Sequence, residues 1–164
     1  MISLLSLEYE LKESPAQVMS RINWAVEEVE VDHWQDYSNF GLARSSQRDW
    51  IGQIDQKAYW FSIQEPDSFF KKKFIVLAEG KLHFKASTTK ISVKLGLNIF
   101  TFIVMFFIYA TTTSSIVRAL LESKPNEYGS IIFPLLLSLI STILIVYRLK
   151  TAERKLDFLF AEGQ

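Results

Sequence analysis

Cysteine is absent from this 164-residue sequence, and histidine occurs only twice, as His33 and His83. Without cysteine there can be no disulfide, no thiolate metal site and no cysteine nucleophile. Two histidines are too few for the usual zinc sites and form no recognisable catalytic triad. Phosphate-loop and dinucleotide-binding motifs are absent as well. We therefore predict no catalytic, cofactor-binding or metal-binding residue, and we expect the protein not to be an enzyme.

Ionisable residues are scarce between Leu95 and Tyr147, where the sequence has only two basic and two acidic ones. No charge occurs in the 23 residues 95–117 or in the 20 residues 128–147. A helix needs about 20 residues to cross ~30 Å of hydrocarbon, and it satisfies its backbone hydrogen bonds internally, as lipid requires. The pattern predicts a transmembrane hairpin in a lipid bilayer, with spans at about residues 95–117 and 128–147.

Lysine and arginine are unevenly distributed around these spans. Only Arg118 and Lys124 lie in the linker, whereas eight lysines and arginines lie before the first span or after the second. The eight are Lys81, Lys85, Lys90, Lys94, Arg148, Lys150, Arg154 and Lys155. Because cytoplasmic segments carry an excess of lysine and arginine, this bias predicts cytoplasmic N- and C-termini. The sequence thus predicts a multi-pass protein of the cell inner (plasma) membrane.

The charged N-terminal part, residues 1–94, has the patterns of a small α+β domain. Apolar and polar residues alternate over residues 5–12, which predicts a half-buried strand. Ser14-Pro15 has the chemistry of a helix start, and we expect this helix to extend to Glu28. Further strands are predicted at residues 50–55, 58–64, 74–79, 82–86 and 91–95. We therefore predict a cytoplasmic α+β domain, an antiparallel sheet with one covering helix.

Two features next to the hairpin allow alternatives. The strand at residues 91–95 either runs directly into the first span, or the span helix already begins near Ile91. Residues 148–164 have apolar side chains at helical spacing, which predicts a cytoplasmic amphipathic helical tail. Such a tail could pack on the sheet, on the membrane surface or on another subunit.

Residues 71–94 hold seven lysines and one glutamate, whereas residues 1–70 hold five basic and twelve acidic residues. The seven are Lys71, Lys72, Lys73, Lys81, Lys85, Lys90 and Lys94. Basic clusters attract anionic headgroups with about 1 kcal/mol per charge, so these lysines are candidate contacts to anionic lipid. Alternatively, they only set topology and solubility. We expect no nucleic-acid partner, because the acidic part offsets the positive field.

Both predicted spans contain hydroxyl-bearing side chains and no acidic residue. Small and hydroxyl-bearing residues let helices in membranes approach closely and hydrogen bond to each other. A path for ions or solutes is the alternative, although it would lack the usual carboxylates. The residues that we predict to pack between helices are Thr111, Ser114, Ser115, Ser138, Ser141 and Thr142.

Three short motifs precede the spans: W-I-G-Q-I-D at Trp50–Asp55, Y-W-F at residues 59–61, and E-G-K-L-H-F at Glu79–Phe84. This arrangement, over residues 50–147, resembles a family of uncharacterised bacterial two-transmembrane-helix proteins with a small cytoplasmic β-rich domain. The resemblance implies a bacterial inner membrane. It implies no catalytic residue.

Three functions are compatible with this layout. The first is a membrane-anchored scaffold or accessory interaction subunit, whose partner is another membrane protein or a second copy of the chain. The second is a module that senses anionic lipid or another ligand through the lysine-bearing surface. The third is a small oligomeric pore or transport subunit lined by the hydroxyl-bearing faces.

Overall fold

The computed structural model of the protein describes residues 1–29, 48–66, 76–85, 88–122 and 128–161. Within these ranges the chain forms one six-stranded sheet and three helices. The strands are β1 (Ile2–Leu11), β2 (Val26–Glu28), β3 (Trp50–Asp55), β4 (Trp60–Gln64), β5 (Val76–Lys85) and β6 (Thr88–Leu97). The helices are α1 (Pro15–Ala25), α2 (Ile99–Glu122) and α3 (Tyr128–Ala161). The predicted α+β domain with a helical hairpin is confirmed.

The strands lie in the order β1-β6-β5-β4-β3-β2, and neighbours are antiparallel except for β2 and β3. The sheet is therefore mixed, whereas the sequence predicts an antiparallel one. The difference arises at α1, which carries the chain from β1 at one edge to β2 at the other. Alternation within a strand reports which face a residue occupies and not the direction of the strand, so it cannot reveal the parallel pair.

Helix α1 begins where its sequence predicts. The Ser14 hydroxyl accepts a hydrogen bond from the backbone N–H of Gln17, and the Gln17 side chain accepts one from the Ser14 N–H. This reciprocal pair is a capping box, and Pro15 occupies the first turn. The helix ends at Ala25 and not at Glu28, because the three residues that follow Ala25 pair with β3 instead.

Two helical segments cover one face of the sheet and form the core with it. α1 contributes Val18 and Ile22, and the C-terminal part of α3 contributes Leu156 and Phe160, all of them buried. The ring centroids of Phe160 and Tyr9 of β1 lie 4.9 Å apart. The predicted single covering helix is thus joined by a second, because the tail after the second apolar segment packs on the sheet.

A single residue, Asn98, separates β6 from α2. Leu97 still pairs with both β1 and β5. The Asn98 Oδ1 then accepts a hydrogen bond of 2.6 Å from the backbone N–H of Thr101, which satisfies one free donor of the first helical turn. The strand therefore runs directly into the helix, which begins at Ile99.

The predicted start of the first span at Leu95 lies within the sheet. Leu95 and Leu97 are apolar because they face the core, where both are buried. Ile91 pairs with β1 and β5, so the alternative of a helix that begins there is wrong. An apolar strand followed at once by an apolar helix reads as one uncharged segment, and hydropathy alone does not divide it.

We call the end of the sheet at which β6 enters α2 the hairpin end. Because the strands alternate in direction, this end also holds Trp50 of β3, Gln64 of β4 and Val76 of β5. The last pair of β5 and β6, Lys85 and Thr88, lies at the opposite end, about 30 Å away at ~3.3 Å per residue. Helix α3 leaves the hairpin near Arg148 and runs along the sheet to Phe160.

Candidate functional site at the junction of the hairpin and the sheet

Helices α2 and α3 contain segments long and apolar enough to cross a membrane, Ile99–Ala119 and Ile131–Ala161. Only 17% and 22% of their most apolar stretches are buried within the chain. Large apolar side chains that face outward include Phe106, Phe107, Phe133 and Ile143. The hairpin thus presents an apolar outer surface that the rest of the described chain does not cover.

The two hairpin helices meet along a seam that includes hydroxyl-bearing side chains as well as apolar ones. Ser138 and Ser141 of α3, both in the predicted packing set, are buried there. From α2, the Thr112 hydroxyl donates a hydrogen bond of 3.0 Å to the carbonyl oxygen of Pro134. This bond crosses between the helices, as expected for hydroxyls at a helix interface in lipid.

The other residues of the predicted packing set are less buried. Thr142 is exposed, although its hydroxyl shares a hydrogen bond of 2.5 Å with that of Tyr109 across the two helices. Thr111 and Ser114 are exposed on α2, and Ser115 is half-buried. Within the hydroxyl run of α2, the hydrogen bond to α3 comes from Thr112, which the prediction omits.

Helical rotation explains the omission. One residue turns the side-chain direction by about 100°, so Thr112 faces α3 while Thr111 does not. The Thr111 hydroxyl bonds within its own helix, to the carbonyl oxygens of Phe107 and Ile108. The sequence does carry a signal for Thr112, because it follows Met105 and Ile108 at steps of three and four residues.

A buried carboxylate joins the sheet to α3 at the hairpin end. Glu65 follows β4, and its side chain is only 3% exposed. Its Oε2 lies 2.8 Å from Nη1 of Arg148, and its Oε1 lies 2.9 Å from Nζ of Lys155. The Lys155 ammonium also lies 5.8 Å from the centroid of the Trp50 ring, within cation–π range. We call Glu65, Arg148, Lys155 and Trp50 the junction cluster.

Charge attraction dominates the junction cluster. Both carboxylate oxygens of Glu65 lie within ion-pair distance of a cation. Among the described residues, however, no donor is oriented to form a hydrogen bond with either oxygen. The side chain of Arg148 is 10% exposed and that of Lys155 is 32% exposed, so Arg148 is the more fully desolvated cation. Because a buried ion without its partner is strongly destabilising, the carboxylate holds α3 in position on the sheet.

Local patterns do not reveal the junction cluster. In the sequence, Glu65 belongs to a Glu-Pro-Asp segment that ends a strand, and Arg148 and Lys155 belong to the topology signal. The pairing joins residues far apart in the chain. The available signal is the seven-residue spacing of the two cations, which places them on one side of a helix.

The described strand positions of the predicted lysine surface lie on the face of the sheet opposite the helices. Acidic residues lie among its lysines: Lys90 contacts Glu10 at 3.8 Å, and Lys94 stands opposite Glu79 in the strand register. Lys81 occupies the same face two residues from Glu79. The described part of this face is therefore of mixed charge rather than purely basic.

Three of the four lysines that the structure describes also lie far from the hairpin. Measured along β6 at ~3.3 Å per residue, Lys90 is about 26 Å from Asn98. The position on β6 that pairs with Lys81 is about 20 Å from Asn98. Lys85 ends β5 at the opposite end of the sheet, and Lys94 is the one described lysine of the set that approaches the hairpin end. Lys71, Lys72 and Lys73 lie outside the described residues. A role for the lysines in headgroup binding stays a prediction.

Among the described residues, no group of three or more histidine, cysteine, aspartate or glutamate side chains could hold a metal ion. No protein-family model matches the chain, and no curated protein matches it either.

Proposed function

We propose that the protein is a membrane-anchored scaffold or accessory subunit, held in the bilayer by the hairpin of α2 and α3. The observation that carries the proposal is the apolar outer surface of these helices, which the sheet leaves uncovered. Soluble monomers rarely expose apolar patches larger than a few hundred Å², whereas lipid requires such a surface.

Both ends of the chain lie on one side of the membrane in this proposal. The hydroxyl of Tyr9 donates a hydrogen bond of 2.8 Å to Asp157, so the N-terminal strand and the C-terminal helix are in contact. Two crossings return the chain to the side on which it started. The lysine and arginine bias makes this side the cytoplasm, and the resemblance to bacterial two-span proteins favours the inner membrane.

The attachment of the sheet supports an accessory role. The sheet connects to the hairpin twice at one end, through Asn98 and through the junction cluster. A domain held in this way presents its surfaces at a constant height and orientation, and such preorganisation lowers the entropic cost of binding a partner. We propose another membrane protein, or a second copy of the chain, as that partner.

The pore hypothesis loses two of its six hydroxyl-bearing residues. Ser138 and Ser141 are buried between the two helices of one chain, where they cannot line a channel between subunits. Sensing through the lysine surface is likewise less well supported, because Lys81 and Lys90 lie far from the hairpin.

Single cysteines test the topology cleanly, because the chain has none. We expect Ser123→Cys, in the linker, to react with a membrane-impermeant maleimide in intact cells. Ser20→Cys, on an exposed position of α1, should react only after permeabilisation. Labelling of Ser20→Cys in intact cells, or its absence at Ser123→Cys, would contradict the proposed topology.

Co-purification from native membranes tests the accessory role. We expect a stoichiometric membrane protein, or a second copy of the chain, to remain bound in mild detergent. Glu65→Ala should weaken this association because it loosens the sheet from α3, whereas Lys90→Ala, at an exposed ion pair, should leave it intact. A chain that is monomeric and without a partner after gentle extraction would refute the accessory role.

A further inference from the structure

A groove of about 330 Å³ lies between α1 and the part of α3 that follows Arg148. α1 runs back toward the hairpin end, because Val26, directly after it, pairs with Trp50 at that end of the sheet. Trp24 in the last turn of α1 and Thr151 of α3 both line the groove. The groove therefore opens close to the point at which α3 leaves the hairpin.

Positive charge converges on this groove. Arg21, Arg154 and Lys155 line it, and Asp49 is the one acidic residue among its described lining residues. Arg21 and Lys155 are already held by carboxylates of the chain. Arg154 is exposed and has no ion-pair or hydrogen-bond partner among the described residues. The groove thus offers one guanidinium that no described carboxylate pairs with.

Aromatic side chains frame the same groove. Trp50 is buried in its wall, whereas Trp24 and Phe158 are 80% and 68% exposed. Tryptophan is enriched at the interface between membrane and water. Helical side chains lean toward the N-terminus of their helix, so Arg154, about 9 Å beyond Arg148 at ~1.5 Å per residue, leans back toward the hairpin.

We infer that this groove binds the phosphate of an anionic phospholipid headgroup in the cytoplasmic leaflet. The inference rests on the proposed insertion of the hairpin. Arg154 supplies a planar fork of donors that matches phosphate, and it lies beside Arg21 and Lys155 in the lining of the groove. Trp24 lies beside the headgroup at the interface. The volume is at the low end of small-ligand sites, which suits a headgroup rather than a whole lipid.

Native mass spectrometry of the full-length protein in detergent, with equal amounts of phosphatidylglycerol and phosphatidylcholine, measures the preference for anionic lipid. We expect the wild type to retain phosphatidylglycerol preferentially. Arg154→Gln should lower this preference about fivefold, the effect of one charge near the surface, and the charge reversal Arg154→Glu should lower it further. The matched control Lys90→Gln removes one charge from the opposite face and should leave the preference unchanged.

Three results would overturn the assignment. The first is a preference that survives Arg154→Glu. The second is an equal loss in Lys90→Gln, which would return lipid binding to the predicted lysine surface. The third is displacement of phosphatidylglycerol by inorganic phosphate alone, which would show that the groove takes a free anion.

Trp24 provides a second measurement. Its fluorescence, taken as the difference between the wild type and Trp24→Phe in phosphatidylglycerol vesicles, should be quenched by lipids brominated in their acyl chains. Unquenched fluorescence would overturn the placement of the groove at the interface. Alkaline carbonate extraction tests the anchor separately, because release of the protein would refute insertion, whereas retention without lipid preference would refute only the groove.

Discussion

Glu65 is the residue whose loss should most weaken the contact between the sheet and α3. Its carboxylate is 3% exposed and lies 2.8 Å from Arg148 and 2.9 Å from Lys155. Glu65→Ala removes the carboxylate that both cations contact and leaves a cavity beside them. Removal of one partner from a buried ion pair costs about 3–5 kcal/mol, and we expect the free energy of unfolding of the sheet and its helical cover to fall by that amount.

Truncation of either cation should cost less. Arg148→Ala leaves Glu65 paired with Lys155, so the loss should be about 1.5–3 kcal/mol, the range for one charged contact. The Lys155 side chain is 32% exposed, and solvent screens its charge, so Lys155→Ala should cost about 1 kcal/mol. The predicted order of destabilisation is therefore Glu65→Ala, Arg148→Ala, Lys155→Ala.

Urea unfolding of the full-length protein in detergent micelles, followed by tryptophan fluorescence, measures these differences. The slope of the unfolding free energy against urea concentration should stay constant, while the urea concentration at the midpoint falls. The double variant Glu65→Met with Arg148→Met should be more stable than Glu65→Met alone, because it removes two buried charges together. A loss below about 1 kcal/mol for Glu65→Ala, the value for an exposed pair, or a double variant less stable than the single one, would refute the reasoning.

Two further predictions use the same preparation. Gly52→Ala, within the W-I-G-Q-I-D motif, should lower the unfolding free energy by about 1–3 kcal/mol, because a Cβ there would lie 2.1 Å from the backbone oxygen of Ser62; an unchanged urea midpoint would contradict this. Burial, and then the hydrogen bond to Asp157, raise the pKa of Tyr9, so the folded state holds this proton more tightly than the unfolded state. The resulting stability is present below about pH 10 and is lost as the pH rises above it. In thermal melts, Tyr9→Phe should lose less stability than the wild type as the pH rises above about 10. Identical losses of stability in both proteins would refute this role of Tyr9.

Local patterns predict the elements whose formation depends on near neighbours in the chain. Alternation over residues 5–12 matches β1, although the strand begins at Ile2. Ser14-Pro15 marks the start of α1 because the capping atoms lie within one turn. The scarcity of charge predicts the two apolar helices, because a span in lipid depends on composition more than on any particular contact.

Features that depend on distant residues escape such patterns. The end of α1 at Ala25 is set by the pairing of β2 with β3, which also makes the sheet mixed. The first apolar segment is divided at Asn98 because the residues before it complete the core of the sheet. Glu65 acquires its role from cations on α3. In each case the energy that decides the structure comes from a partner that is remote in sequence.

Two attachments at one end of the sheet determine how the hairpin and the sheet move together. A lone hinge at Asn98 would let α2 tilt freely, because one or a few residues can absorb a large change in backbone angles. Helix α3 removes that freedom, since its tilt must separate Glu65 from Arg148 or withdraw Phe160 from the core. Each of these losses costs several kcal/mol. A mismatch between the length of the hairpin and the thickness of the bilayer costs only fractions of a kcal/mol per Å, which is less than either loss. A partner that tilts the hairpin must therefore rotate the sheet with it, and a partner bound to the sheet must act on the helices.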